Sequence, residues 1–281
     1  MKYLIYVAAF LLLQFCVDAK AQLPRERVQE NTVIERTFWA PTNVGLGTVF
    51  NVDGQNLRSS VIHTFGLVEG GIDRFFGMDD GANTKISLDY GINDRWSVGI
   101  GRMTFNKVVD FRTKVNLLRQ NRSENIPVDV ALKTSLNIST LSGVGLTFND
   151  RLTYFASVMA AKKFDHLSVQ LSPMIAHFNN PSIGNPDQLF GIGMLLNYEL
   201  NNRYALSAEY LPVLGERNRL SENAMALALN IDTGGHIFQL FFASSQWHNE
   251  AFIMANNRDK LWEGSFRFGF NIHRVYGLGR N

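Results

Sequence analysis

Cysteine is almost missing: Cys16 is the only one in 281 residues, which excludes an internal disulfide framework and a zinc–cysteine site. Net charge is almost missing too. The 27 Lys and Arg against 25 Asp and Glu leave +2, which gives no electrostatic case for nucleic acid as a partner. Beyond residue 22 no apolar run approaches the roughly 20 residues of a membrane helix. The longest, around Leu189–Leu196, contains two glycines. The histidines at 63, 166, 177, 236, 248 and 273 form no HExxH and no close pair at helical spacing, so no metal site is expected. The pairs Gly99/Gly101 and Gly191/Gly193 do not fall between a strand and a helix, so they are not nucleotide fingerprints. Their expected role is to relieve crowding inside a barrel or ease its curvature. No cofactor is expected. What remains is a chain with 46% hydrophobic and 19% charged residues, too apolar for disorder. Its 21 Phe and 23 Gly against 7 Pro lean towards strands joined by turns.

The first residues read as an address. Lys2 supplies a positive start, residues 3–17 an apolar core, and Ala19-Lys20-Ala21 a small-x-small cleavage site before Gln22. Residues 1–21 are therefore expected to be a cleaved signal peptide. Asp18 and Lys20 end the run too early for an anchor, and bulky Phe15 before Cys16 argues against a lipoprotein. Cleavage would leave a cysteine-free chain, suited to an oxidising compartment.

The rest alternates with period two. Ile86, Leu88 and Tyr90 alternate with Lys85, Ser87 and Asp89. Phe268, Phe270 and Ile272 alternate with Arg267, Gly269, Asn271 and His273. Pleated strands put such residues on opposite faces. About twelve such strands fall at 56–65, 83–91, 95–105, 107–119, 126–138, 152–163, 166–178, 188–199, 203–212, 223–231, 235–243 and 263–273. Several are long enough to cross a bilayer at ~9–11 residues. Most long links fall at one end, and Asn93-Asp94, Asn201-Asn202 and Gly234-Gly235 mark tight turns at the other. That asymmetry is the habit of outer-membrane barrels, with short periplasmic turns and longer external loops. Residues 22–55 are expected to be a periplasmic lead-in, a plug or an extra strand around Val44–Val49, and 277–281 a tail.

Strand parity places Arg58, Lys85, Asp89, Arg95, Asp110, Arg112, Lys114, Asp129, Lys133, Glu199, Arg203, Glu209, Arg267 and His273 on the lumen face. Basic groups outnumber acidic ones, so an open pore would have a slight anion preference. The competing expectation is that opposite charges pair across neighbouring strands and, with a loop, plug a narrow interior. Phe75, Phe76 and Met78 in the link 66–81 suggest a loop that folds inward as a constriction, binds a partner, or packs on the rim. Asp79-Asp80-Gly81 with Asn83 lacks the spacing of a calcium loop and reads as a turn. His166 and Ser168 share a parity, but it is the lumen parity, not the outer wall of a lipid-modifying enzyme. Trp96, Tyr90, Tyr198, Tyr204, Tyr210, Trp262 and Tyr276 lie near expected strand ends, as an interfacial girdle requires.

Several blocks appear together in order: Ile62–Gly66, Phe76–Arg102, Leu117–Gln120, Phe155–Phe164, Leu167–Pro173, Gly235–Ser244 and Phe268–Tyr276. With these blocks the chain resembles a Bacteroidota family of outer-membrane β-barrels of unknown function, domain of unknown function 5777, over most of residues 55–276. The resemblance implies the barrel and the outer membrane, and no reaction. One departure is the end: Tyr276 is followed by Gly-Leu-Gly-Arg-Asn instead of closing the chain.

The expectation is an all-β protein, an antiparallel outer-membrane β-barrel of about twelve strands, acting as a narrow channel or a structural, partner-binding barrel without catalysis. The expected partners are outer-membrane lipid, the barrel-assembly machinery, and small solutes or ions. The alternatives are a phospholipase-like barrel enzyme and a soluble periplasmic barrel that binds an apolar ligand.

Overall fold

The computed structural model describes residues 36–121, 124–142 and 145–278. The signal peptide expected at 1–21 lies outside them. The strands are β1 (Asn56–Leu67), β2 (Asn83–Asn93), β3 (Trp96–Met103), β4 (Val108–Leu118), β5 (Asp129–Ser139), β6 (Leu152–Phe164), β7 (Leu167–Phe178), β8 (Gln188–Glu199), β9 (Tyr204–Leu211), the two-residue β10 (Val213–Leu214), β11 (Ala224–Asp232), β12 (His236–Ala243) and β13 (Arg267–Gly277). One α-helix, α1 (Glu250–Asn256), lies between β12 and β13.

Each full strand pairs antiparallel with the full strands before and after it, and β13 returns to pair with β1, Asn56 opposite Gly277 and Leu57 opposite Tyr276. The short β10 resumes β9 along β8 beyond Pro212, where a residue without an N–H interrupts the ladder. The barrel is therefore a closed meander of twelve full strands, with no free edge. The last strand starts at Arg267, later than the expected 263–273, and takes in Gly277 of the expected tail. Leu261–Glu263 form a 3₁₀ turn instead, because the ladder to β1 sets the register. Trp262 accordingly sits in that turn and not at a strand end.

The alternation now has a physical meaning. Along β2, Ile86, Leu88 and Tyr90 are exposed, whereas Lys85, Ser87 and Asp89 are buried. The same holds for Trp96, Val98 and Ile100 on β3 and for Leu206 and Leu227 on β9 and β11. A soluble barrel buries its apolar face; this one turns it outward all round. An apolar surface of that extent is stable against lipid and not against water.

Links between β1 and β2, β5 and β6, β7 and β8, β10 and β11, and β12 and β13 leave from one end. The tight β2–β3, β6–β7, β8–β9 and β11–β12 turns lie at the other. The short 3₁₀ turn Phe105–Lys107 is the exception on the long-loop rim.

Candidate functional site

The site is the lumen, and the chain fills it from both ends. Residues 36–53 enter beside the tight turns, where the Gly54 N–H donates to Asp94 Oδ1 at 2.9 Å and the Gln55 N–H to the Gly91 carbonyl at 2.8 Å. They run inward as a hairpin. Thr42 bridges Gly47, and the Asn43 N–H donates to the Leu46 carbonyl at 2.8 Å to close the tip. Phe38, Val44, Leu46, Val49, Phe50 and Val52 are all buried. From the long-loop end the β12–β13 link folds in and carries α1, whose Ala251, Phe252, Ile253, Met254 and Ala255 are buried. Asn249 caps the helix, its side chain accepting the Ala251 N–H at 3.1 Å.

The wall has three sectors. On β6–β8, Phe155, Met159, Met174, Phe178, Leu189 and Leu195 face inward and form an apolar core with α1 and Leu46 of the hairpin. On β9 and β11–β13 the inward residues form an amide network. Asn271 donates to Gln239 at 2.8 Å, Gln239 to Asn230 at 2.7 Å, and Asn230 to Ser207 Oγ at 3.0 Å. His273 bonds Ser60 at 2.7 Å and Gln239 at 3.1 Å. On β1–β5 the wall is charged. Lys85 pairs with Asp110 at 2.8 Å, and Arg112 bridges Asp110 at 2.6 Å and Asp89 at 2.7 Å. Gly99 and Gly101 make room for this network: a Cβ at Gly99 would lie 2.2 Å from Asp89 Oδ1 and one at Gly101 2.7 Å from Asp110 Oδ1.

The remaining lumen charges meet the two inserts. Glu209 accepts from the tip, from the Gly45 N–H at 2.8 Å, Val44 at 3.2 Å and Leu46 at 3.3 Å. Lys114 donates to the carbonyls of Thr48 at 2.9 Å and Pro41 at 3.5 Å. Arg58 donates to the Trp39 carbonyl at 3.3 Å and lies over the Phe50 ring, while its Nε and Nη1 find no protein partner. Asp129 accepts from Thr37 Oγ1. Lys133 pairs with Glu250 of α1, which also accepts the Gly47 N–H at 3.0 Å. Arg267 pairs with Asp259 of the same link at 2.7 Å, and Glu199 pairs with Lys163 at 2.7 Å.

Two residues assigned to the lumen by parity are not there. Arg95 and Arg203 sit at the β2–β3 and β8–β9 turns and are exposed; alternation carries no information where the strand has already ended. Phe75, Phe76 and Met78 do not constrict the pore either. They lie at the rim in or just beyond a kinked 3₁₀ segment, 53%, 45% and 41% exposed, and closure comes from the β12–β13 link instead. In the turn that follows, Asp80 pairs with Arg74 at 3.2 Å. Among the described residues no group of three His, Cys, Asp or Glu is placed to hold a metal. His166 is exposed in the β6–β7 turn while Ser168 is buried within the barrel, so the two do not form a pair.

Among the described residues, small cavities along the interior include ones of about 10, 20 and 40 Å³, room for single waters or a few. The first lies at the tip beside Glu209 and Ile253, the second between the hairpin and the charged wall, the third at the tight-turn mouth by Arg36, Asp53 and Arg119.

A closed antiparallel barrel with a lipid-facing apolar wall and a polar, occupied lumen is a membrane-bound β-barrel protein. The chain belongs to the family described as membrane bound beta barrel domain (domain of unknown function 5777), whose profile matches residues 38–276. The matched region takes in the hairpin as well as the strands. Among solved structures, an outer membrane channel from Pseudomonas putida F1 is similar with a TM-score of 0.53 at 12% identity, over 83% of this chain and 100% of that one. The NanC porin (TM-score 0.49, 9% identity, 79% and 98% covered) and the KdgM porin (0.46, 9%, 78% and 98%) are similar too. At 12% identity the likeness to the outer membrane channel shows the fold alone. No curated protein sequence matches the chain.

Proposed function

We propose that the protein is an exported outer-membrane channel for small solutes, without catalysis, whose resting lumen is closed by the hairpin at 36–53 and the link that carries α1. The Bacteroidota origin, the lipid surroundings and the assembly machinery expected from the sequence belong to the same reading.

The carrying observation is the way the hairpin is held. Arg58, Lys114 and Glu209 on the wall are bonded by hairpin groups, mostly backbone N–H and carbonyl. Water can take the place of such partners when the hairpin leaves, because protein–water bonds substitute for protein–protein ones. Both inserts also bury apolar side chains, Phe38, Leu46, Val49 and Phe50 of the hairpin sharing one core with α1, at about 1.5–3 kcal/mol for each large side chain. The hairpin precedes β1, whereas α1 is tethered between β12 and β13, so in this reading the hairpin is the part that moves and α1 the constriction it seals against.

The test is bilayer conductance of the refolded full chain beside a Glu250→Ala variant, which removes the contact between α1, Gly47 and Lys133. The reading expects a mostly silent wild type and a variant that opens repeatedly. A folded variant as silent as the wild type would argue for a purely structural barrel.

A further inference from the structure

We propose that the lumen holds a binding site for oxyanions, the carboxylate or phosphate groups of a solute, on Lys114 and Lys133. This rests on the channel reading above and names the solute class.

The two lysines are direct partners in the β4–β5 ladder, and both side chains point inward and are buried. Like charges opposite one another on a sheet face repel, and burial strengthens the repulsion. The wall does not supply the counter-charge. Its nearby carboxylates, Asp89 and Asp110, are committed to Arg112 and Lys85. What partners the lysines comes from the inserts: the counter-charge of Glu250 of α1 for Lys133, and the Thr48 and Pro41 carbonyls, as hydrogen-bond acceptors, for Lys114. The inserts thus present oxygen acceptors to a pair of ammonium groups, as an oxyanion would.

The site is already shaped. The cavity of about 20 Å³ between hairpin and wall is lined by Arg112, Lys114, Lys133 and Asp89, with Pro41 and Thr42 closing it. Withdrawing the hairpin removes the acceptors of Lys114 and the lid of this cavity together. An anion with several oxygens can then accept from Lys114 and from a further N–H of the Lys133 ammonium, which keeps its pair with Glu250, and charge-assisted bonds of this kind are the strong ones. Nearby, Arg58 faces Asp89 across the β1–β2 ladder with two guanidinium nitrogens lacking a protein partner. It extends the basic surface towards the tight-turn mouth.

The experiment measures binding of inorganic phosphate to the full chain in detergent by equilibrium dialysis, with heat-dependent gel mobility as the check of folding. The hairpin is loosened by Gly45→Val, since a Cβ at Gly45 would already lie 2.6 Å from Ile253 Cδ1. Glu250→Ala serves as a second opened form. The opened forms should bind phosphate saturably, at least about tenfold more tightly than the wild type. Lys114→Gln or Lys133→Gln in the Gly45→Val background should each weaken binding about tenfold, and Arg95→Gln, in an exposed turn, should leave it unchanged. Equal binding with and without the lysines, or no binding by either folded opened form, overturns the proposal. Conductance of the same variants separates the two claims. Conduction without lysine-dependent binding removes the site and keeps the channel; binding without conduction keeps the site and removes the channel.

Discussion

The carboxylate of Glu209 on β9 gathers three consecutive backbone N–H groups of the hairpin tip, with Gly45 nearest at 2.8 Å. One wall residue therefore fastens the end of the insert furthest from its attachment at Asn56. Hydrogen bonds to a charged group contribute about 1.5–3 kcal/mol each. Glu209→Ala should release the tip and raise the open probability in a bilayer at least about tenfold, or ~1.4 kcal/mol. Unchanged open probability would mean that the tip is held by its apolar contacts alone.

Acid should loosen the β12–β13 link. His248 is buried, which pushes its imidazole down to about 3, with Lys85 and His63 nearby adding to the effect. Its Nε2 donates to the Asn83 carbonyl at 3.1 Å and its own carbonyl accepts from Lys85. For Glu250, burial alone would raise the carboxyl, but Lys133 holds it below its ordinary value. Both groups are depressed in the docked state, so both contributions are complete at high pH. The histidine contribution fades as pH falls from 6.5 towards 3, by about 1.4 kcal/mol per pH unit. The Glu250 contribution fades only below about 4.5. Fluorescence of Trp247, which stacks on Phe252 of α1 at 5.8 Å, should report undocking that begins near pH 6. In His248→Gln that onset should move below pH 4.5. A signal that is flat from pH 8 to 4.5 in the wild type would contradict this.

Asp110 carries the charged wall. It accepts from both Lys85 and Arg112, so Asp110→Ala leaves the buried Lys85 ammonium without its counter-charge, with only the His248 carbonyl as partner, and a guanidinium half-paired. Removing one partner of a buried pair costs about 3–5 kcal/mol, which should appear as a large drop in the urea midpoint of the detergent-folded barrel. A shift equivalent to less than about 0.5 kcal/mol would show that water already shares these charges.

Arg95 and Arg203 give the opposite expectation. Both lie in exposed turns, so Arg95→Gln and Arg203→Gln should change stability by less than about 0.5 kcal/mol. Neither should alter ion selectivity in an opened variant. A clear selectivity shift would mean that the tight-turn mouth controls permeation.

The barrel was legible because its rule is local. Lys85 to Tyr90 state by alternation alone which side faces lipid, and the tight turns at Asn93-Asp94 and Asn201-Asn202 separate the strands. The rule fails where strands end, which is why it does not locate Arg95, Arg203 or the start of β13. The lumen contents were not legible from alternation. The hairpin is surrounded by protein, so Phe38, Val44, Leu46, Val49 and Phe50 show no single apolar face. The region could be read as a plug, a strand or a lead-in equally well. The inward helix left a signal that alternation cannot read, the run Ala251–Ala255 after the capping Asn249. Helical spacing within a long link marks a segment that packs on something. The pairing of Lys133 with Glu250 depends on that fold-back and could not be foreseen from strand parity.

The central claim, that the chain's own hairpin closes a membrane channel, is tested most directly by removing it. Single-channel recordings should compare the full chain with a variant lacking residues 38–50, both shown to be folded by heat-dependent gel mobility. The account predicts a full chain that is closed with brief openings and a shortened chain that conducts steadily. Equal silence in both, with the shortened barrel folded, would contradict it.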